Sequence, residues 1–187
     1  MRRAFLRLTA FALLWAVAVT VSPRILFAQS RLPNAKDVVS PSAYVSLAPV
    51  PRGRSFELAV VLKIRPGFHI NAREASADYL IPTELRADLP AGIKAGETVY
   101  PKGTLQKFAF SKTPLNVYAD RATILVPLAA ESNAPLGPVK VALRLRYQAC
   151  SMEVCLPPVT LDVDAAFEVA AAGAAAKSVH PEIFSPK

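Results

Sequence analysis

Apolar and polar residues alternate in two long stretches of the chain. Phe56, Leu58, Val60, Leu62 and Ile64 interleave with Glu57, Ala59, Val61, Lys63 and Arg65. Val139, Val141, Leu143, Leu145 and Tyr147 interleave with Lys140, Ala142, Arg144, Arg146 and Gln148. A period of two places alternate side chains on opposite faces of a strand, so each stretch predicts a strand with one buried face. Pro66-Gly67 ends the first in a turn. Shorter strands are expected over residues 43–47, 68–71, 83–87, 105–110, 115–118, 123–128 and 159–163. Pro90-Ala91-Gly92, Lys94-Ala95-Gly96, Pro101-Lys102-Gly103 and Leu136-Gly137-Pro138 punctuate them as turns. Many short strands without a long amphipathic helix predict an all-β domain, two antiparallel sheets enclosing one core.

The ends of the chain read differently. Arg2, Arg3 and Arg7 precede an apolar run over residues 8–21, and Leu26-Phe27-Ala28 offers a cleavage site before Gln29, so residues 1–28 are expected to be a signal peptide. An uncleaved anchor is the rival for this segment, and Arg2-Arg3 also resembles a twin-arginine export signal. Either export route implies an extracytoplasmic, oxidising compartment and no stable membrane span after cleavage. Residues 29–42 are expected to be a flexible lead-in, residues 43–165 the folded domain, and residues 166–187 an Ala-rich, Pro-containing tail that frays.

Charge and motif content narrow the function classes. The formal net charge is +8, and four arginines without an acid in the first 28 residues reduce it to about +4 for the mature chain. The remaining basic residues are scattered, without the dense stripe and interleaved aromatics of a nucleic-acid surface. His69 and His180, the two histidines, have no carboxylate or cysteine cluster at metal-ligand spacing, and glycine-rich cofactor loops are absent. Ser111 and Ser151 lack an acid–histidine arrangement for hydrolysis. No metal or cofactor is therefore expected.

The chemistry that remains is that of Cys150 and Cys155, the only cysteines. The strand ending at Gln148 and the one starting near Val159 are sequential neighbours, which usually pair, so the two cysteines face each other across a hairpin loop and bond in an oxidising compartment. Closing so short a loop stabilises by only about 2 kcal/mol. With four intervening residues, and no helix N-terminus to depress a thiol pKa, the pair suits a disulfide attacked by a partner thiolate, or a dithiol that passes electrons on. A structural staple in a non-catalytic binding or assembly domain is the alternative, and composition leaves the two nearly even.

Gly67-Phe68-His69-Ile70-Asn71, Tyr79-Leu80-Ile81-Pro82-Thr83, Val99-Tyr100-Pro101-Lys102-Gly103, Val117-Tyr118, Tyr147-Gln148-Ala149-Cys150 and Cys155-Leu156-Pro157-Pro158 carry a resemblance. Together these blocks resemble the N-terminal periplasmic domain of the DsbD thiol:disulfide interchange family, from about residue 43 to residue 163. The resemblance implies an immunoglobulin-like sandwich. It further implies a periplasmic Cys150/Cys155 couple that relays reducing equivalents to thioredoxin-like proteins, which isomerise disulfides or serve cytochrome c maturation. Cys155 would form the mixed disulfide and Cys150 would resolve it. No second spanning run and no CxxC are present, so a separate membrane-embedded or soluble thiol protein is expected as reductant.

Supporting roles are assigned around the pair. Phe68 and Tyr100 are candidates for packing over the sulfurs, Glu97 and Tyr147 for shielding or proton transfer, and Val99 stands where relatives place a shielding phenylalanine. Met152 and Val154 offer either a partner-docking surface or burial beneath the loop, and Glu153 is expected to keep the loop exposed. Pro157-Pro158 should hold one sulfur in place by fixing the chain after Cys155.

Overall fold

A computed structural model describes residues 32–184. The signal-peptide expectation for residues 1–28 lies outside the described residues, as do residues 29–31 of the lead-in and residues 185–187 of the tail. A 3-10 turn at Ala35–Asp37 opens the described chain. It is followed by β1 (Val39–Val45), β2 (Leu47–Ala48), β3 (Val50–Pro51), β4 (Ser55–Ile64) and β5 (His69–Asn71). Next come β6 (Glu84–Asp88), β7 (Ile93–Ala95), β8 (Thr104–Gln106), β9 (Leu115–Ala119) and β10 (Arg121–Ala130). The chain closes with β11 (Gly137–Tyr147), β12 (Ala149–Cys150), β13 (Val159–Ala170), β14 (Lys177–Ser178) and a one-turn helix, α1 (Pro181–Phe184). No helix among the described residues is long and apolar enough to cross a membrane.

Two four-stranded sheets, ordered β1-β4-β10-β7 and β3-β13-β11-β6, form an immunoglobulin-like sandwich. Every pairing is antiparallel except the short parallel contact of β3 with β13. Alternation explains the core: Phe56, Leu58, Val60 and Leu62 of β4 and Ile124, Val126 and Leu128 of β10 meet Val141, Leu143 and Leu145 of β11 and Val163, Phe167 and Val169 of β13. Phe56 and Phe167 pack edge to face with centroids 5.0 Å apart. The opposite face of β4 is also partly closed, since Ala59 and Val61 are buried in this central strand.

A third sheet, ordered β12-β5-β9-β8, carries the cysteines. Gly67, at φ +82°, makes the turn that sends the chain from β4 into it, a conformation that a Cβ would strain.

Four local expectations are corrected. The lead-in is ordered from the 3-10 turn onward, and β1 starts at Val39, where it pairs in full register with β4. The Ala-rich segment frays less than its composition suggests. β13 continues to Ala170, because Ala165, Phe167 and Val169 keep the inward phase against Val141, Val139 and Gly137 of β11. Beyond it, β14 returns to pair with β2. Lys94 and Ala95 lie in β7, an edge strand on β10, and the Gly96 amide still donates to the Pro127 carbonyl at 2.9 Å. The strand expected over 105–110 stops at Gln106, and the chain turns at Phe108, whose carbonyl accepts from the Ser111 amide at 3.1 Å.

Candidate functional site

The β11–β13 ladder ends at Tyr147↔Val159, and the residues between them make a second, smaller hairpin. Cys150 and Cys155 are antiparallel partners within it. The Leu156 amide donates to the Ala149 carbonyl and the Ser151 amide to the Val154 carbonyl, each at 2.8 Å. This pattern flanks the pair, so the cysteines occupy a non-hydrogen-bonded site, where facing residues approach most closely. Their Cα atoms are 3.9 Å apart, below the usual disulfide span of about 4.4 to 6.8 Å, and the sulfurs are bonded. Ser151 is a turn residue: its Oγ accepts from the amides of Glu153 at 3.2 Å and Val154 at 3.1 Å. The hairpin leaves the β11 sheet, and β12 pairs with β5 as Ala149↔Ile70 and Cys150↔His69.

The two sulfurs are therefore in unequal surroundings. Cys150 is fully buried, whereas Cys155 is partly accessible. Met152 is 55% and Val154 41% exposed at the hairpin tip, which removes the alternative that they lie beneath the loop. Glu153 is exposed between them.

Gln148 explains how the hairpin is held. Its Oε1 accepts from the Ile81 amide and from Asn71 Nδ2, each at 3.3 Å, while its Nε2 donates to the Leu156 carbonyl at 3.5 Å. Asn71 Nδ2 also reaches the Ile81 carbonyl at 3.0 Å, and Thr83 Oγ1 donates to the Asn71 carbonyl at 2.6 Å. One side-chain amide thus ties both arms of the cysteine hairpin to β5 and to the loop before β6. Neighbouring Tyr147 has a different role from the one expected. It is fully buried in the main core, its hydroxyl donates to the Ala35 carbonyl at 2.7 Å, and burial pushes its pKa up to about 12. It anchors the N-terminal segment and is unsuited to proton transfer near neutral pH.

Register sorts the residues of the third sheet into two faces. In the third sheet Ile70 pairs with Tyr118 and Ala149, so these three share one face, while His69, Ala119 and Cys150 share the other. Tyr100 and Glu97 line an open cleft with Arg73 and Tyr118, on the Tyr118 side. The Tyr118 hydroxyl donates to the Pro101 carbonyl at 2.9 Å, the Tyr100 hydroxyl accepts from the Leu85 amide at 2.9 Å, and the Arg73 guanidinium lies 5.4 Å above the Tyr100 ring. Val99 is exposed and bridges to Leu125 at the edge of the first sheet. Phe68 packs against the main core.

The Cys150 face is covered by residues given no site role from sequence. Leu80, Phe108, Leu115 and Val117 form a second apolar cluster. Phe108 stacks on His69 with centroids 4.0 Å apart and on Phe110 at 5.4 Å, and Phe110 is 40% exposed. His69 is 3% exposed, and desolvation lowers its pKa to about 4, so it is neutral. The sequence signal for this aromatic layer was the Phe108-Ala109-Phe110 alternation, which reads equally well as ordinary strand. His180 lies elsewhere, edge-on to Tyr44 and 3.4 Å from Glu182.

Residues 35–166 match the model of the family described as thiol:disulfide interchange protein DsbD, N-terminal. The chain belongs to that family, and thiol–disulfide interchange is its class of chemistry. Among solved structures, the chain is similar to the reduced N-terminal domain of DsbD from Neisseria meningitidis, at 23% identity and TM-score 0.44, with 80% of this chain and 95% of that one covered. It is also similar to the N-terminal periplasmic domain of ScsB from Proteus mirabilis, at 12% identity and TM-score 0.41, covering 65% of this chain and 45% of that one. No curated protein sequence matches it significantly.

Proposed function

We propose that this is an exported, periplasmic relay domain whose Cys150/Cys155 pair passes reducing equivalents to thioredoxin-like proteins that isomerise disulfides or serve cytochrome c maturation. A separate membrane-embedded or soluble thiol protein recharges it. In this reading residues 1–28 are the export signal and the mature chain starts at Gln29. The observation that carries the proposal is the asymmetry of the disulfide, with Cys155 partly accessible and Cys150 buried behind it, in a chain of this family. The reduced Cys155 thiolate attacks a partner disulfide and forms a mixed disulfide. Cys150 then attacks Cys155 Sγ, the intramolecular bond returns, and the partner leaves as a dithiol carrying two electrons. Met152 and Val154, exposed beside Cys155, form the contact surface for that partner.

Trapping tests the reading. Cys150→Ser removes the resolving thiol and should accumulate a mixed disulfide through Cys155 with a thioredoxin-like protein, visible on non-reducing gels and identified by mass spectrometry. Cys155→Ser, which leaves only the buried thiol, should trap far less. If neither variant captures a thioredoxin-like protein and the wild type exchanges with none of a purified panel, the pair is a structural staple and the relay is wrong.

A further inference from the structure

Among the described residues, two buried side-chain polar atoms have no hydrogen-bond partner, His69 Nε2 and Asn71 Oδ1. Both belong to β5 and, two residues apart, both point to the same face of the third sheet. A buried polar atom left unpaired is rare and costly, so each asks for an explanation. Cys150 is the direct cross-strand partner of His69, and side chains so paired share a face with Cβ atoms about 4.5 to 5.5 Å apart. In the disulfide state the Cys150 sulfur carries no hydrogen to donate to the imidazole. Reduction adds one S–H donor at that position.

We propose, building on the relay reading above, that His69 is the base that accepts the Cys150 proton when the mixed disulfide is resolved. Before that step Cys155 Sγ is bonded to the partner sulfur and Cys150 is a thiol. The imidazole takes the Cys150 proton, Cys150 Sγ attacks Cys155 Sγ, and the Cys150–Cys155 bond forms. The bond from Cys155 to the partner breaks, its electron pair leaving on the partner thiolate, which the imidazolium or water then protonates. Two electrons have left the dithiol, and the proton count is unchanged.

The surroundings suit this role. Packed against His69 are Cys150 from β12, Ala119 from β9 and Phe108 from the loop after β8. Among them only Cys150, once reduced, is ionisable, and burial is the sole cause acting on the imidazole. The ring stays neutral, and available as an acceptor, until a thiolate forms beside it. An adjacent thiolate then favours the imidazolium, as opposite charges at short range do. Phe108 fixes the ring plane by stacking.

Reaction of the reduced protein with an aromatic disulfide, dithionitrobenzoate, separates the two steps. Attack by Cys155 releases the first thionitrobenzoate, and resolution by Cys150 releases the second. Stopped-flow absorbance across pH 5 to 9 should show the second release slowed about a hundredfold or more relative to the first in His69→Phe, the range usual for loss of a general base. Its pH profile should also shift toward that of an unassisted thiol. His69→Gln, which keeps a hydrogen-bond acceptor but cannot take a proton, serves where His69→Phe folds poorly and should show the same shift. An unchanged ratio of the two releases in both variants, or a ratio changed without any change in pH profile, overturns the proposal. The probe is a small disulfide, so this result is independent of whether a thioredoxin-like partner is trapped.

Discussion

A histidine buried against phenylalanine ties the stability of this domain to pH, and the sign follows from where the proton binds. The His69 pKa is about 4 in the folded protein, against about 6.5 for a free imidazole. Below pH 6.5 the unfolded chain therefore binds a proton that the folded domain refuses. The neutral ring's contribution is fully present above pH 6.5 and is lost as pH falls toward 4. Denaturant melts of the oxidised domain should show about 2 kcal/mol less stability at pH 5 than at pH 7, and His69→Phe should flatten most of that slope. A slope unchanged in the variant would assign it to other groups. Tyr147 offers a second test at this scale. Tyr147→Phe strands the Ala35 carbonyl and should cost about 1 to 3 kcal/mol, without altering thiol exchange, because its hydroxyl reaches the N-terminal segment and not the sulfurs. In sequence, both residues lie within the motif blocks, and nearness to the cysteines along the chain suggests a site role for Tyr147 and none for His69. Which face each side chain takes depends on strand register, and register is set by pairings that are distant along the chain.

The cysteine hairpin is short, and a single side chain holds it on three sides. Removing Gln148 leaves the Ile81 amide, the Asn71 amide and the Leu156 carbonyl without that partner. Gln148→Ala should leave the global melt within about 1 to 3 kcal/mol of wild type while loosening the hairpin selectively. Amide hydrogen exchange is the measurement: protection should fall at Leu156 and Ser151, whose bonds flank the disulfide, and persist in β4 and β11. Equal loss everywhere would show that the hairpin does not open separately. The strands β4, β10 and β11 were readable because burial on one face forces a period of two. The extension of β13 was present in the same form, as Val163, Ala165, Phe167 and Val169 alternating with Asp164, Ala166 and Glu168. The Ala-rich composition masks that pattern and suggests a tail that frays, whereas pairing with β11 holds it as strand. Strands of two or three residues, such as β7, β8 and β12, carry too few positions to display any period.

Across the whole molecule, the division of labour between core and disulfide decides whether the bond is free to open. The main core draws buried residues from both sheets of the sandwich, including Leu58, Val60, Leu62, Ile124, Leu143 and Leu145, and the cysteine hairpin joins it only through Ala149 and Leu156. Burying side chains of this kind stabilises by about 1.5 to 3 kcal/mol each before entropy is subtracted. The loop closed by the disulfide spans a sequence separation of 5 and contributes about 2 kcal/mol. Net domain stabilities of about 5 to 15 kcal/mol exceed that contribution, so opening and closing the bond need not unfold the sandwich. A Cys150→Ser/Cys155→Ser double variant should therefore melt cooperatively, with its midpoint lowered by roughly 5 to 10 °C and its far-ultraviolet spectrum at room temperature retained. The wild type in excess dithiothreitol should behave alike, with a further contribution wherever the reduced Cys150 thiol pairs with His69. Loss of cooperative melting in the double variant would mean that the hairpin staples the fold, and a staple whose removal unfolds the protein cannot serve as a couple that cycles between two states.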